Sequence, residues 1–379
     1  MDAILSYAQA RRDAMVELIR RLVEIESPSD NKAAVDRLGE FLADYLSAVA
    51  DLRVHRAKQV GNHLRVKFRL PGKKKGGQIL ALGHLDTVWS LGTLERMPFR
   101  VADGRLWGPG VFDMKTGIAI VVFAAESLRE LGRPVGRRLV MQLNSDEEIG
   151  SDSSRAITEA EAKKSAAALV LEPSAGLEGR VKTGRKGVGD YTIRVKGKAS
   201  HSGLDFEAGA SATLELARQM LTIAGFTDLK RGITVNPGVI GGGTRTNVVA
   251  EEAWAQVDMR VWRLADGRRI DKKFRALQPF DRRCRLTVEG RLNRPPLERT
   301  PAVLRLYRQA RKIAGELGVK LGETQVGGGS DGNFTAAMGV PTLDGLGAVG
   351  EGAHASQESV LIDRLADRVA LVARLIESL

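Results

Sequence analysis

The sequence is 379 residues long, carries a formal net charge of +12 and is 43% hydrophobic and 27% charged. These proportions are typical of a globular protein and exclude a disordered, collagen-like or coiled-coil chain. We expect two domains of unequal size, because one hydrophobic core rarely grows beyond about 250–300 residues. The longest uninterrupted apolar run, 118–125, is eight residues, far short of the roughly 20 that a membrane-spanning helix needs. We therefore expect a soluble protein with no membrane partner.

The single cysteine, Cys284, excludes an internal disulfide bond. Charged residues at Arg11, Arg12 and Asp13 occupy the place where a secretory signal has its apolar centre. Both features favour the cytoplasm. An exported form whose leader has been removed stays open.

Part of the positive charge is concentrated between Arg263 and Arg294, where eleven Lys and Arg residues stand against four Asp and Glu. The aromatic residues in this stretch are Phe274 and Phe280, which is too few for base stacking. We expect a solvated basic surface that attracts anionic substrates, and no nucleic-acid partner.

Periodicity predicts the first elements in chain order. Apolar residues at helical spacing predict one helix over 4–23, and a second helix follows at 35–46. A strand pair is predicted within 51–70, divided at 61–62, and the lysine-rich turn at 71–77 is interpreted as a hairpin tip.

The next stretch alternates short apolar runs with amphipathic helices, at 79–82, 118–131, 139–143, 153–162 and 167–171. Such alternation predicts an α/β domain with a mixed, largely parallel sheet flanked by helices.

After Glu172 and Pro173 the pattern changes to that of an inserted α+β domain. Its predicted elements are strands at 191–195, near 233, at 257–261 and at 285–288, and helices at 210–224 and 268–277. The step Pro295-Pro296 marks the return to the first domain, which ends in a helix. The apolar stripe of that helix consists of Leu361, Leu365, Val369, Val372 and Ile376. The predicted boundaries are 1–183 and 292–379 for the two parts of the first domain and 184–291 for the insert.

Five polar clusters each follow a predicted buried strand. They are Gly83-His84-Leu85-Asp86, Asp113-Met114-Lys115, Asp146-Glu147-Glu148, Glu172-Pro173 and Gly352-Ala353-His354-Ala355. In open α/β sheets, sites form at the carboxyl ends of strands, so these loops can converge on one crevice. Imidazole and carboxylate together suit zinc, manganese or cobalt.

Carboxylates packed beside buried strands repel one another, and two divalent ions would remove that cost. On an extended segment, Asp86 lies on the same face as His84 and can orient its ring. The adjacent Glu147 and Glu148 point different ways, so one can bind metal while the other acts as general base.

Long strings around these clusters resemble the acetylornithine deacetylase, succinyl-diaminopimelate desuccinylase and glutamate carboxypeptidase family of two-zinc metallopeptidases. The strings are GHLDTV (83–88), GPGVFDMKTG (108–117), DEEIGS (146–151), EP (172–173) and GAH (352–354). The resemblance covers nearly the whole chain and is strongest to the glutamate carboxypeptidase branch. It implies a zinc exopeptidase-like catalytic domain and makes the insert a lid and dimerisation domain.

The resemblance implies two Zn²⁺ ions, for which Co²⁺ or Mn²⁺ could substitute, and five ligands. Asp113 would bridge the ions, His84 and Glu172 would complete one site, and Glu148 and His354 the other. Glu147 would be the general base that activates the bridging water, and Asp86 would support His84. A cis peptide bond is expected between Asp113 and Met114.

In the insert, the string Ala199-Ser200-His201-Ser202-Gly203 resembles the family segment whose histidine polarises the scissile carbonyl, often from the partner subunit. We assign His201 to the oxyanion hole. The implied substrate-binding residues are Asn247, Arg260, Arg294, Gly328, Gly329 and Ser330. The two arginines would anchor the free carboxylate of a C-terminal amino acid.

The expected activity is hydrolysis of an amide bond that releases a C-terminal amino acid, with glutamate the best single candidate. The substrate would be a small molecule or short peptide with a free carboxylate, and the enzyme a homodimer. Dipeptidase and N-acyl-amino-acid deacylase activities stay open, because relatives with the same ligands perform them.

A remote alternative is a serine hydrolase, because 328–332 matches the pattern G-x-S-x-G around Ser330. Asp344 and His354 follow in the chain order of that class. Against it, 321–326 is a poor strand, and the carboxylate clusters would have no role.

Overall fold

The computed structural model describes residues 2–73 and 75–379, which form two compact units. The large unit comprises the residues up to Gly184, Arg299–Gln325 and Ser330–Leu379, and the small unit Arg185–Glu298 and Val326–Gly329. The small unit contains most of the segment for which the sequence predicts an insert. The predicted boundaries at 183/184 and 291/292 stay predictions.

The helices and strands of the described residues are as follows. The α-helices are α1 (Ala3–Ala10), α2 (Arg12–Glu24), α3 (Lys32–Leu46), α4 (Thr93–Arg96), α5 (Thr116–Glu130), α6 (Arg155–Ala162), α7 (Ala212–Ala224), α8 (Leu264–Arg275), α9 (Pro301–Glu316), α10 (Gly332–Ala337) and α11 (Leu365–Ser378). The strands are β1 (Ala50–His55), β2 (His63–Phe68), β3 (Gln78–His84), β4 (Arg100–Ala102), β5 (Arg105–Trp107), β6 (Arg138–Asn144), β7 (Ser165–Val170), β8 (Val181–Arg185), β9 (Gly187–Lys196), β10 (Thr234–Gly242), β11 (Glu252–Val261), β12 (Arg285–Arg294), β13 (Glu323–Val326), β14 (Thr342–Leu343), β15 (Gly350–Glu351) and β16 (Ser359–Leu361).

The large unit is built on a six-stranded sheet with the order β1-β2-β6-β3-β7-β14. Strands β6, β3, β7 and β14 run parallel, whereas β1 and β2 pair antiparallel at one edge. This arrangement confirms the predicted mixed, largely parallel sheet.

Strand β3 shows why this sheet needs helices on both faces. All seven of its residues are buried. Ile79 and Ala81 pack into the main hydrophobic core, whereas Leu80 and Leu82 pack into a second cluster. Successive side chains of a strand point to opposite faces, so a strand covered on both sides reads as a continuous apolar run. Helix α5, which carries the longest apolar run, packs against α1, α2 and α11 in the main core.

Several details differ from the sequence-based predictions. The single helix predicted over 4–23 is wrong, because the chain leaves helical geometry at Arg11, between α1 and α2. The hairpin at 71–77 is also wrong: β6 lies between β2 and β3, so the turn joins strands that do not pair. One of its lysines, Lys74, lies outside the described residues. The last helix begins at Leu365, and Leu361 belongs to β16.

The small unit contains a four-stranded antiparallel sheet with the order β10-β11-β9-β12. Burial alternates along β9, as expected when one face is covered and the other is solvated. Residues of α7 and α8, among them Leu216 and Phe274, are part of its hydrophobic core. None of the helices in the described residues has the length and apolar character needed to cross a bilayer.

The end of α5 offers a matched test of the core. Leu128 is fully buried, whereas Leu131 is 37% exposed. We expect Leu128→Ala to lower the free energy of unfolding by about 2–5 kcal/mol, because it leaves a cavity. Leu131→Ala should change it by less than about 1 kcal/mol. Urea unfolding followed by circular dichroism measures both values, and equal losses for the two variants would contradict this packing.

Candidate metal centre

Three adjacent parallel strands deliver side chains to one edge of the large unit's sheet. His84 is the last residue of β3, Glu147 and Glu148 follow β6, and Glu172 follows β7. Strand β3 lies between β6 and β7, so these residues meet at the carboxyl ends of neighbouring strands.

Two loops complete the cluster. Asp113 lies in an irregular turn, Val111–Lys115, which leads into α5, and the Asp113–Met114 peptide bond is cis, as expected. His354 lies in the loop between β15 and β16. Gly117 allows α5 to approach the segment that follows β7, because a Cβ atom there would lie 2.1 Å from the carbonyl oxygen of Leu171.

The five side chains form two groups that share Asp113. One group is His84, Asp113 and Glu172, the other is Asp113, Glu148 and His354, and the ligand atoms of each group lie within 4.8 Å of one another. Oδ1 of Asp113 lies 3.3 Å from Nε2 of His84, and its Oδ2 lies 3.3 Å from Nε2 of His354. The same two nitrogens lie 3.5 Å from Oε1 of Glu172 and 3.3 Å from Oε1 of Glu148. One carboxylate therefore faces both groups, with one oxygen for each.

The charges around the two imidazoles favour bound cations. The carboxylates of Asp113 and Glu148 raise the pKa of His354 to about 10. Burial lowers the pKa of His84, but the surrounding carboxylates outweigh it and hold that pKa well above its usual value. Oε1 of Glu148 is buried and receives no hydrogen bond within the part of the chain that the structure describes. Imidazole nitrogens and carboxylate oxygens in this arrangement fit a pair of divalent ions such as Zn²⁺, Co²⁺ or Mn²⁺.

Asp86 supports the centre in a different way from the one predicted. Nδ1 of His84 lies 2.9 Å from the backbone oxygen of Asp86 and 3.5 Å from its carboxylate. The carboxylate instead accepts the backbone N–H groups of Glu147 (3.2 Å) and Glu148 (3.1 Å) and the hydroxyl of Ser29 (2.7 Å). Asp86 thus orients the imidazole through its main chain and the two glutamates through its side chain.

His201 belongs to the small unit and is exposed. Its Nδ1 accepts the backbone N–H groups of Gly203 (3.1 Å) and Leu204 (3.2 Å). An imidazole nitrogen that accepts hydrogen bonds carries no proton, so in the neutral ring Nε2 is the donor. Asn247 is also exposed, and its backbone oxygen accepts the N–H of Ser202.

The predicted substrate arginines have different surroundings. Nε of Arg260 donates to both carboxylate oxygens of Asp258, at 3.0 and 2.9 Å, whereas Arg294 is buried. Gly328 and Gly329 are held by Arg185, which sequence reasoning missed and which donates to both carbonyl oxygens.

Ser330 differs from its predicted role. The residue is fully buried, and its hydroxyl donates to Asp344 at 2.7 Å. A buried hydroxyl that donates to a carboxylate is unsuited to contacting a substrate. His354, the base required by the serine hydrolase alternative, faces Asp113 and Glu148 instead. That alternative is therefore wrong.

Sequence reasoning also missed buried side chains that hold these loops. Arg368 of α11 donates to the carbonyl oxygens of Gly179, Gly345 and Gly347. Burial lowers its pKa to about 10. Glu358 accepts hydrogen bonds from the segment that carries Asp113. In the sequence both residues look like ordinary surface charges, because long-range burial leaves no local signal.

Comparisons with known proteins bear on this centre. The model for peptidase family M20/M25/M40 matches residues 80–378. The chain is 29% identical to carboxypeptidase G2 of Pseudomonas sp. (strain RS-16), over 100% of this chain and 92% of that protein. Aminopeptidase PepT of Bacillus cereus has a similar fold, with a TM-score of 0.75 and 22% identity over 97% of this chain and 98% of that one. So has the YXEP protein of Bacillus subtilis, a dinuclear metal-binding peptidase of the M20 family, with a TM-score of 0.68 and 14% identity over 98% of both chains.

Proposed function

The chain belongs to peptidase family M20/M25/M40 and is a metallopeptidase, and from this premise we propose that it is a two-metal carboxypeptidase. It would hydrolyse an amide bond and release a C-terminal amino acid. The observation that carries the proposal is the position of Asp113 between two groups of side chains that could each hold a metal ion. The similarity to a carboxypeptidase over the full chain supports the same activity.

Five residues would hold the two divalent ions. They are Asp113 as the shared ligand, His84 and Glu172 on one side, and Glu148 and His354 on the other. When bound, such ions supply Lewis-acid chemistry, polarising the scissile carbonyl and lowering the pKa of a water molecule. Zinc is our first choice because imidazole and carboxylate ligands suit it.

Glu147 would move the proton. The carboxylate of Asp86 accepts the backbone N–H groups of both Glu147 and Glu148. Glu147 is therefore held in the same turn as Glu148, which is a proposed metal ligand. We propose that Glu147 takes the proton of the attacking water and then donates it to the nitrogen of the leaving amine.

His201 would stabilise the oxyanion that develops on the carbonyl. Its two hydrogen bonds at Nδ1 leave the Nε2–H group to donate to this oxygen. The homodimer stays a prediction. In a dimer, His201 would act either within its own chain or on the site of the partner subunit.

The substrate would carry a free carboxylate. Arg260 and Arg294 are the proposed anchors, since a guanidinium group can donate two parallel hydrogen bonds to a carboxylate. Arg260 would exchange its contact with Asp258 for the substrate. The basic surface favours an acidic C-terminal residue, and glutamate is our first candidate.

The direct test measures free amino acid released from N-acyl amino acids and dipeptides that differ at the C-terminal residue. We expect release that favours glutamate or aspartate and stops when a chelator removes the metal. The same panel run with Arg294→Met should lose the preference for acidic residues. Release from every dipeptide without preference at the C-terminus would indicate a dipeptidase instead. Release only from N-acyl substrates would indicate a deacylase.

The adjacent glutamates provide a matched pair of substitutions. Glu147→Gln should bind metal normally and lose turnover by about 10²–10⁴-fold, because the proton carrier is lost. Glu148→Gln should weaken metal binding, because a ligand is lost. Metal content after dialysis and kcat on the best substrate distinguish the two effects. A rate for Glu147→Gln close to that of the unmodified enzyme would contradict its role.

His201→Ala should lower kcat by about 10²–10³-fold while leaving metal content unchanged, since one oxyanion donor is removed. His55→Ala, a substitution on edge strand β1 of the large unit, is the control and should leave kcat unchanged. Equal kinetics for the two variants would remove His201 from the mechanism.

A further inference from the structure

Glu358 is a buried carboxylate that receives four N–H groups. It lies four residues after His354, directly before β16, and its relative exposure is 0%. Its Oε2 accepts the indole N–H of Trp89 (2.8 Å) and the backbone N–H of Gly110 (2.9 Å), and its Oε1 accepts the backbone N–H groups of Phe112 and Asp113 (both 2.9 Å).

This pattern fixes the carboxylate in one orientation. Each oxygen has two donors, and hydrogen bonds to a charged acceptor are stronger than those between neutral groups. A buried carboxylate would be costly without such partners. The side chain therefore resists rotation, and the backbone that donates to it resists displacement.

The contacts join three segments that carry proposed metal ligands. One donor is the backbone N–H of Asp113 itself. Glu358 also belongs to the loop that carries His354, and its own N–H donates to the carbonyl oxygen of Ala355, the residue that follows His354. Trp89 belongs to the loop that follows His84 and Asp86.

We propose that Glu358 is a positioning residue of the metal centre, and that its carboxylate sets the separation of Asp113 and His354 before metal binds. The inference rests on the proposed two-metal function. It assigns Glu358 no contact with metal or substrate. The four hydrogen bonds would fix the segments that carry Asp113 and His354 relative to each other. Less rearrangement of these segments would then be needed when the ions bind.

The chain offers a matched control for the simpler explanation that Glu358 only stabilises the fold. Glu215 in the small unit is 1% exposed, and its carboxylate accepts the backbone N–H groups of Phe280 and Asp281 and the amide of Gln219. It is a buried glutamate with the same kind of partners and no proposed ligand among them.

The experiment compares E358Q with E215Q. In E358Q the new amide group must face two N–H donors whichever way it is turned, so two hydrogen bonds are lost without a change of shape. We expect Co²⁺ titration to show about 10–100-fold weaker binding by E358Q, the range typical when a group that orients a ligand is replaced. The visible absorption spectrum of the cobalt protein should also change. E215Q should bind Co²⁺ as the unmodified chain does, even if both variants melt at similarly lowered temperatures.

Each outcome is decisive. Folded E358Q with unchanged cobalt affinity and spectrum would overturn the inference, and so would an equal loss of affinity in E215Q. An unmodified chain that binds no Co²⁺ would contradict the proposed function itself, and the inference with it. If E358Q does not fold, W89F decides the matter, because it removes one donor from a partly exposed residue. We then expect a few-fold loss of affinity and a spectral change, and the absence of both would overturn the inference.

Discussion

The carboxylate of Asp113 between two imidazoles is the contact around which the candidate metal centre is arranged. Carboxylates gathered at the buried end of a sheet repel one another, so this arrangement is stable only where positive charge collects. The carboxylates raise the pKa of both His84 and His354, which shows that they favour positive charge at this place. A pair of divalent ions would supply more positive charge at this place than two protonated imidazoles.

Around Asp113, hydrogen bonds from buried side chains hold the ligand segments in place. Asp86 accepts the N–H groups of Glu147 and Glu148, and Glu358 accepts that of Asp113. Arg368 donates to glycine carbonyl groups, and one of these glycines, Gly347, donates its own N–H to the carbonyl oxygen of Glu172. These hydrogen bonds fix the ligand segments relative to one another. This explains how several loops can present five side chains at one place.

Much of the fold was readable from periodicity because burial on two faces leaves a local trace. The apolar runs at 79–82, 139–143 and 167–171 correspond to β3, β6 and β7. The break at Arg11 and the position of β6 between β2 and β3 were missed, since a local pattern does not record a kink or the order of strands. For the same reason Ser330 resembled a nucleophile in the sequence, whereas the structure buries it against Asp344.

The sequence alone determined the fold class, the family resemblance and the residue types at the ends of three strands. These depend on residues near each other in the chain, where spacing and motif carry the information. Only the tertiary structure decided which oxygen of Asp113 faces which histidine. It also decided that Asp86 binds the glutamate turn and that Glu358 joins segments about 245 and 269 residues apart. Contacts over such distances arise from packing, which no local pattern encodes.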